Sequence, residues 1–173
     1  MNRCRWHAHG GVSRAQEPSA NMAPRAPGTA TSGLNKKVLS GALMSCRVLM
    51  VDDNENDLLF TRIALQRCGV DYEVRTFERA QEALSLLATD PAHGTDLILL
   101  DINMPVMDGF SFLRAFEALP ARQRGHAVVV MLSSSSDPAD RARAARHGCV
   151  RGFMNKPLEK TAAASLIHLV RAP

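Results

Sequence analysis

Residues 96–109 read DLILLDINMPVMDG. The apolar run Leu97–Leu100 ends abruptly in a carboxylate, Asp101, and a loop with Asn103, Pro105 and an Asp108-Gly109 turn follows. A continuous apolar run this short suits a strand buried on both faces, as in a parallel sheet covered by helices. In open α/β sheets, ligands bind beyond the carboxyl ends of such strands. Asp101 therefore stands where a working residue belongs, provided the rest of the chain brings partners to the same place.

Working outward, the same rhythm repeats on both sides. Val48–Val51 is a short apolar strand ending in Asp52-Asp53. Glu55–Cys68 reads as a helix, with acids in its first turn, Arg67 in its last and Gly69 just past its end. Tyr72–Phe77 alternates apolar and polar residues, as a half-buried edge strand does. Ala80, Ala83, Leu84 and Leu87 then share one helical face. Beyond the opening stretch, Phe112, Leu113, Phe116 and Leu119 form another helical stripe, closed by Pro120. Ala127–Leu132 is a second buried strand. Asp137 caps a fourth helix with Pro138 at its first position. That helix has no large apolar residue between Ala139 and Arg146, so it ranks among the least stable elements. Gly152–Asn155 is a short strand ending at Lys156-Pro157, and Glu159 to about Val170 is a last helix with Ala162, Leu166 and Leu169 on one side. Five strands alternating with five helices imply an α/β fold, one doubly wound parallel sheet. No glycine-rich phosphate fingerprint follows the first strand, which argues against a dinucleotide-binding domain.

Composition agrees with one globular domain: 173 residues, 46% hydrophobic and 22% charged. Ala127–Leu132, the longest apolar run, is far too short to span a bilayer, so no membrane partner is expected. The N-terminal MNRCRWHAHGG lacks the apolar core of a secretory signal. Cys4, Cys46, Cys68 and Cys149 show no paired spacing, so reduced thiols and a cytoplasmic location are expected. The net charge of +4 hides a division: residues 1–47 hold seven Lys/Arg and one acid, residues 48–173 fourteen and sixteen. The folded part is mildly acidic, which argues against nucleic acid as a partner. Residues 1–44, rich in Pro, Gly, Ser and Thr, are expected to be a disordered extension. Cys4, His7 and His9 make too loose a set for a closed metal site. Met44, directly before the first strand, is a candidate native start.

Polar residues stand just past four of the five strand ends: Asp52 and Asp53, Asp101, Ser133, and Lys156. In a sheet ordered 2-1-3-4-5 these rims adjoin, and the order reverses between strands 1 and 3, where a crevice opens. Three carboxylates gathered there repel one another, by about 4 kcal/mol per pair at 4 Å and an effective dielectric near 20. Such a cluster raises its pKa values or holds a hard cation, and Mg²⁺ suits oxygen ligands that leave room for water and phosphate. A carboxylate nucleophile, Mg²⁺, an ammonium and a hydroxyl are the parts for accepting a phosphoryl group on an aspartate.

VLMVDDN, LILLDINMPVMDG, VVVMLSS and FMNKP, in this order and spacing, resemble the receiver domain of two-component response regulators, of the stand-alone chemotaxis-regulator kind. The resemblance runs from about Arg47 to Val170, inside an expected domain of residues 45–173. It implies the flavodoxin-like order 2-1-3-4-5, with Asp101 as phosphoacceptor. Asp52, Asp53 and Asp101 would hold Mg²⁺ with the backbone carbonyl of Asn103, Ser133 would be the hydroxyl that swings toward the phosphoryl group, and Lys156 would contact its oxygens beside a cis bond to Pro157. Phe153 falls at the aromatic switch position, often Tyr elsewhere. The chain departs from the chemotaxis regulator by one extra residue between Gly148 and Lys156, expected in the loop before strand 5. The implied partners are a histidine kinase or histidine phosphotransfer protein, an unknown downstream protein, and a possible second copy. Three residues follow Val170, so output is expected by protein contact through the fourth helix, strand 5 and fifth helix. The chain is expected to be a phosphoacceptor and not a turnover enzyme.

Two competitors use the same residues. A receiver-like scaffold would keep the fold and never carry phosphate. An aspartate-nucleophile phosphohydrolase has an acid two residues after its nucleophile, where this chain has Asn103. Blander readings apply to other positions. Asp108 reads as a turn residue, Asp52-Asp53 alone would suit a helix cap, Ser134–Ser136 is a polar loop, Cys68 and Cys149 are packing residues, and His93, His126 and His147 read as solvated.

Overall fold

The central strand of the computed structural model is β3, Leu97–Asp101, and all five of its residues are buried. The structure describes residues 45–172, so the readings of residues 1–44 lie outside the described residues. On one side β3 pairs in parallel with β1, Cys46–Val51, and on the other with β4, Val128–Ser133. The edges are β2, Tyr72–Phe77, and β5, Val150–Asn155, giving the expected order β2-β1-β3-β4-β5. Leu97, Ile98, Leu99 and Leu100 are at most 1% exposed, each stabilising the fold by about 1.5–3 kcal/mol.

Alternation along the strands builds two apolar layers. Leu49, Val51, Ile98 and Leu100 face α2, Ala80–Thr89, and α3, Gly109–Ala118. Val48, Met50, Leu97 and Leu99 face α1, Glu55–Arg67, and α6, Lys160–Arg171. The expected stripe on the last helix is displaced by one residue. Ala163, Leu166 and Ile167 are buried while Ala162 and Leu169 flank them, because burying Ile167 removes more apolar surface than burying Ala162.

One helix is additional. A single turn, α4 (Ala121–Arg124), starts at Pro120 and stops at Gly125, which has φ +56°. It is too short to carry an apolar period. The fourth and fifth expected helices are therefore α5, Pro138–Ala144, and α6. As expected, α5 is capped by Asp137 and buries only Ala144. The β5 strand begins two residues before its expected start, at Val150. Its register with β4 shifts there, Val129 facing Val150 but Val130 facing Gly152. Arg151 is thus the extra residue of a β-bulge, inside the Gly148–Lys156 span where one added residue is expected.

Two histidines expected in solvent are bound. His93 Nδ1 accepts from Thr95 N (2.9 Å), which leaves the proton on Nε2 to donate to Gln123 O (2.8 Å). His147 Nδ1 meets Glu117 Oε2 at 2.8 Å. His126 is exposed.

Candidate functional site

The four polar strand ends meet on one rim of the sheet. Asp101 is the last residue of β3, Ser133 the last of β4, Asp52 the first past β1, and Lys156 the first past β5. Asp52, Asp101 and Ser133 are buried, and Asp53 is exposed beside them. One carboxylate oxygen from each of Asp52, Asp53 and Asp101 lies within 4.8 Å of the others. The Lys156 ammonium sits between the buried pair, 2.6 Å from Asp52 Oδ2 and 2.5 Å from Asp101 Oδ1. The remaining lone pairs are held by the backbone: Asn54 N donates to Asp52 Oδ1 (3.0 Å) and Asn103 N to Asp101 Oδ2 (2.8 Å). Both carboxylates are thereby fixed in orientation before anything binds.

A single ammonium serving two buried carboxylates leaves an imbalance. Burial pushes the Asp52 carboxyl above its usual value despite the Lys156 and Asn54 hydrogen bonds that pull it down. Burial alone would depress Lys156, but its bonds to Asp101 and Asp52 win and raise it. The lysine is held as a cation, and with Asp53 beside the buried pair the carboxylates outnumber it. That excess, on oxygen donors this close, fits a hard divalent cation.

A fourth carboxylate, which the sequence reading missed, also reaches this lysine. Asp57 Oδ2 lies 3.1 Å from Lys156 Nζ. Asp57 sits in the first turn of α1, where an acid is ordinarily explained by the helix dipole. Only the approach of β5 to that turn gives it a partner.

The loop after Asp101 is fixed by two neighbours. Gly109 N donates to Ile102 O (2.8 Å), and a Cβ on Gly109 would lie 2.3 Å from the Asp101 carbonyl oxygen. Asp108 is the N-cap of α3, accepting from Ser111 N at 2.6 Å, so it is a capping residue and more than a turn former. The cap of α1 is Asn54, whose side chain accepts from Asn56 N and Asp57 N, so Asp52 and Asp53 are free of capping duty. The Ser111 bond holds the Asp108 carboxyl below its usual range. Asp108→Ala is expected to cost about 1 kcal/mol in urea unfolding near neutral pH. Because the folded pKa is depressed, this stabilisation is present above the unfolded value of about 3.9 and fades as pH falls through the folded one. The gap between wild type and variant should therefore close at the acid end of a pH series.

Ser133 is fully buried, and its Oγ accepts from Ser135 N at 3.0 Å. Phe153 is half-buried against the α2–α3 layer, with the Arg141 guanidinium 4.7 Å above its ring. Arg143 lies 3.8 Å over Phe110. These two contacts fasten α5, a helix that buries almost nothing of its own. The Lys156-Pro157 bond is cis.

The response regulator receiver domain family matches residues 48–168. The chain is 36% identical over 125 residues to the two-component response regulator ARR10 of Arabidopsis thaliana, covering 70% of this chain and 20% of that one. It thus spans about a fifth of the length of that curated relative. Among solved structures, a two-component response regulator from Cytophaga hutchinsonii matches with TM-score 0.67 at 26% identity, covering 73% of this chain and 96% of the other. The chemotaxis protein CheY4 of Vibrio cholerae matches with TM-score 0.60 at 28% identity, covering 73% and 98%.

Proposed function

The chain belongs to the response regulator receiver domain family, and on that premise we propose that Asp101 accepts a phosphoryl group from a phosphohistidine of a histidine kinase or phosphotransfer protein. The observation that carries this reading is Lys156 Nζ bridging Asp101 and Asp52 inside a three-carboxylate cluster. A carboxylate oxygen of Asp101 attacks phosphorus, the O–P bond forms as the N–P bond breaks, and the electron pair leaves with the imidazole. Lys156 has hydrogen-bond partners in Asp52 and Asp57, so it stays on the rim when Asp101 is modified and can turn toward the phosphoryl oxygens. Asp52, Asp53 and the Asn103 carbonyl would hold Mg²⁺, which when bound supplies charge neutralisation between the attacking and transferred oxygens.

Leu59, Phe60 and Val106 are the large apolar side chains left exposed among the described residues, at 51%, 54% and 97%. Phe60 lies one helical turn past Asp57 on α1, and Val106 is on the loop after Asp101, so these two are read as part of a docking rim for the phosphodonor protein. Val106 also holds φ +68°, a conformation rare for a β-branched residue, with Met107 N bonded to Pro105 O at 2.7 Å.

Output on this reading passes from Ser133 to Phe153 and α5, and leaves by the α5–β5–α6 face in the cytoplasm. Amide exchange with a phosphoryl mimic should change protection across residues 133–158; unchanged protection would remove this route. The assignment itself is tested by incubation with a low-molecular-weight acyl phosphate and Mg²⁺. Wild type should take up one phosphoryl group per chain and Asp101→Asn none. Continued turnover of a phosphomonoester would instead favour a phosphohydrolase, and no uptake at all a scaffold.

A further inference from the structure

Charge is divided along the sheet. Residues 46–120, which build β1 to β3, carry thirteen Asp/Glu against six Lys/Arg; residues 121–173 carry nine Lys/Arg against three Asp/Glu. With the order β2-β1-β3-β4-β5, a division in sequence becomes a division in space, acidic at the β2 end and basic at the β5 end. Lys156 is engaged in the pocket. Arg141, Arg143, Arg146 and Arg151, on α5, the turn after it and β5, are exposed and make no ion pair among the described residues. Asp137, the acid that opens this segment, is occupied in capping α5.

Two hollows flank the β5 edge. One, of about 440 Å³, lies between α5 and α6, with Arg141 on one wall, Glu159 on another and Met154 and Ala162 supplying apolar surface. The other, of about 260 Å³, sits at the start of the strand, where Arg124, His126 and Arg151 line it and no carboxylate does. The bulge makes Arg151 the residue that pairs with nothing on β4, and it leaves the side chain exposed on the edge two residues before the Phe153 that Arg141 covers.

We infer that the α5–β5–α6 face docks an acidic protein segment, Asp/Glu interleaved with apolar side chains, with Arg141 and Arg151 as its anchors. The inference rests on the reading of this face as the output surface and names the partner's chemistry. Guanidinium groups without carboxylate partners match carboxylates in paired hydrogen bonds, a stronger contact than an exposed cation–π one. A carboxylate that draws Arg141 away therefore uncovers the Phe153 ring and links docking to its position. A symmetric pairing of this face with a second copy would set arginine against arginine. A nucleic acid would find apolar Met154 and Ala162 under its phosphates and the acidic end of the same sheet beside it. A segment with both acidic and apolar groups matches everything on the face.

The full chain, with and without a phosphoryl mimic at Asp101, is panned against a displayed library of short random peptides at physiological salt. Selected peptides should be net negative with at least one large apolar residue. Their affinity should fall at least about tenfold in the double swap Arg141→Glu, Arg151→Glu, and stay level in Arg75→Glu on β2, the opposite edge of the sheet. Duplex DNA and phosphatidylserine-containing vesicles serve as competing probes. Selection without acidic enrichment, no selected binder, indifference to the double swap, or tighter binding to DNA or vesicles would each overturn the inference. Phosphoryl uptake separates the two levels. Uptake intact in wild type with no acidic peptide bound sinks this inference alone, whereas uptake absent in wild type sinks the proposed function beneath it.

Discussion

Lys156→Met is expected to destabilise the domain by about 3 kcal/mol and to slow phosphoryl uptake by about 10²–10³-fold. The side chain is 8% exposed and holds two buried carboxylates at 2.5–2.6 Å. Methionine keeps the aliphatic volume while leaving Asp52 and Asp101 facing each other without a cation. Two readouts separate charge from packing. Mg²⁺ should raise the urea midpoint of the variant more than that of wild type, since a dication replaces the missing ammonium. The pH dependence should also invert. In wild type the lysine pKa is raised on folding, so its stabilisation is present below the unfolded value of about 10.4 and lost as pH climbs through the folded one. In the variant that alkaline loss disappears, and stability instead grows as pH falls and the crowded carboxyls protonate. Equal stability of the two proteins at neutral pH would mean that the pocket is not the charged cluster described above.

Gly109→Ala should cost about 2–4 kcal/mol. The added methyl would stand 2.3 Å from the Asp101 carbonyl oxygen and 3.0 Å from Ile102 Cα. Both are backbone atoms of the loop that aims the nucleophile, so no side-chain rotation relieves the contact. Phosphoryl uptake should therefore fall even in the folded fraction. Gly148→Ala is the matched control, with nothing within 4 Å of the new methyl, and it should lie within about 0.5 kcal/mol of wild type. Chemical denaturation of the three proteins checks both expectations.

What could be read from the sequence was what depends on residues near each other in the chain. The buried strands announced themselves as apolar runs, and the Asp137-Pro138 start of α5 carried its own capping signal. The acids and the lysine lay at strand ends, so any sheet with this order had to gather them. Features that depend on where one element lies against another were not legible. Asp57 looked like a helix-start acid until β5 delivered Lys156 to it. Nothing in the spacing of Arg141 and Arg143 pointed to the rings of Phe153 and Phe110 beneath them. His93 and His147 found partners thirty residues away, in Gln123 and Glu117. The bulge at Arg151 is invisible locally, because an extra residue fits a loop or a strand equally well until the β4 register is known.

The central claim concerns one oxygen atom on one residue. Phosphorylated protein can be reduced with borohydride, which converts an aspartyl phosphate to homoserine, and the modified position read by peptide mass spectrometry. The account predicts homoserine at residue 101 alone. Modification at Asp52, Asp53, Asp57 or Asp108 with Asp101 intact would contradict it.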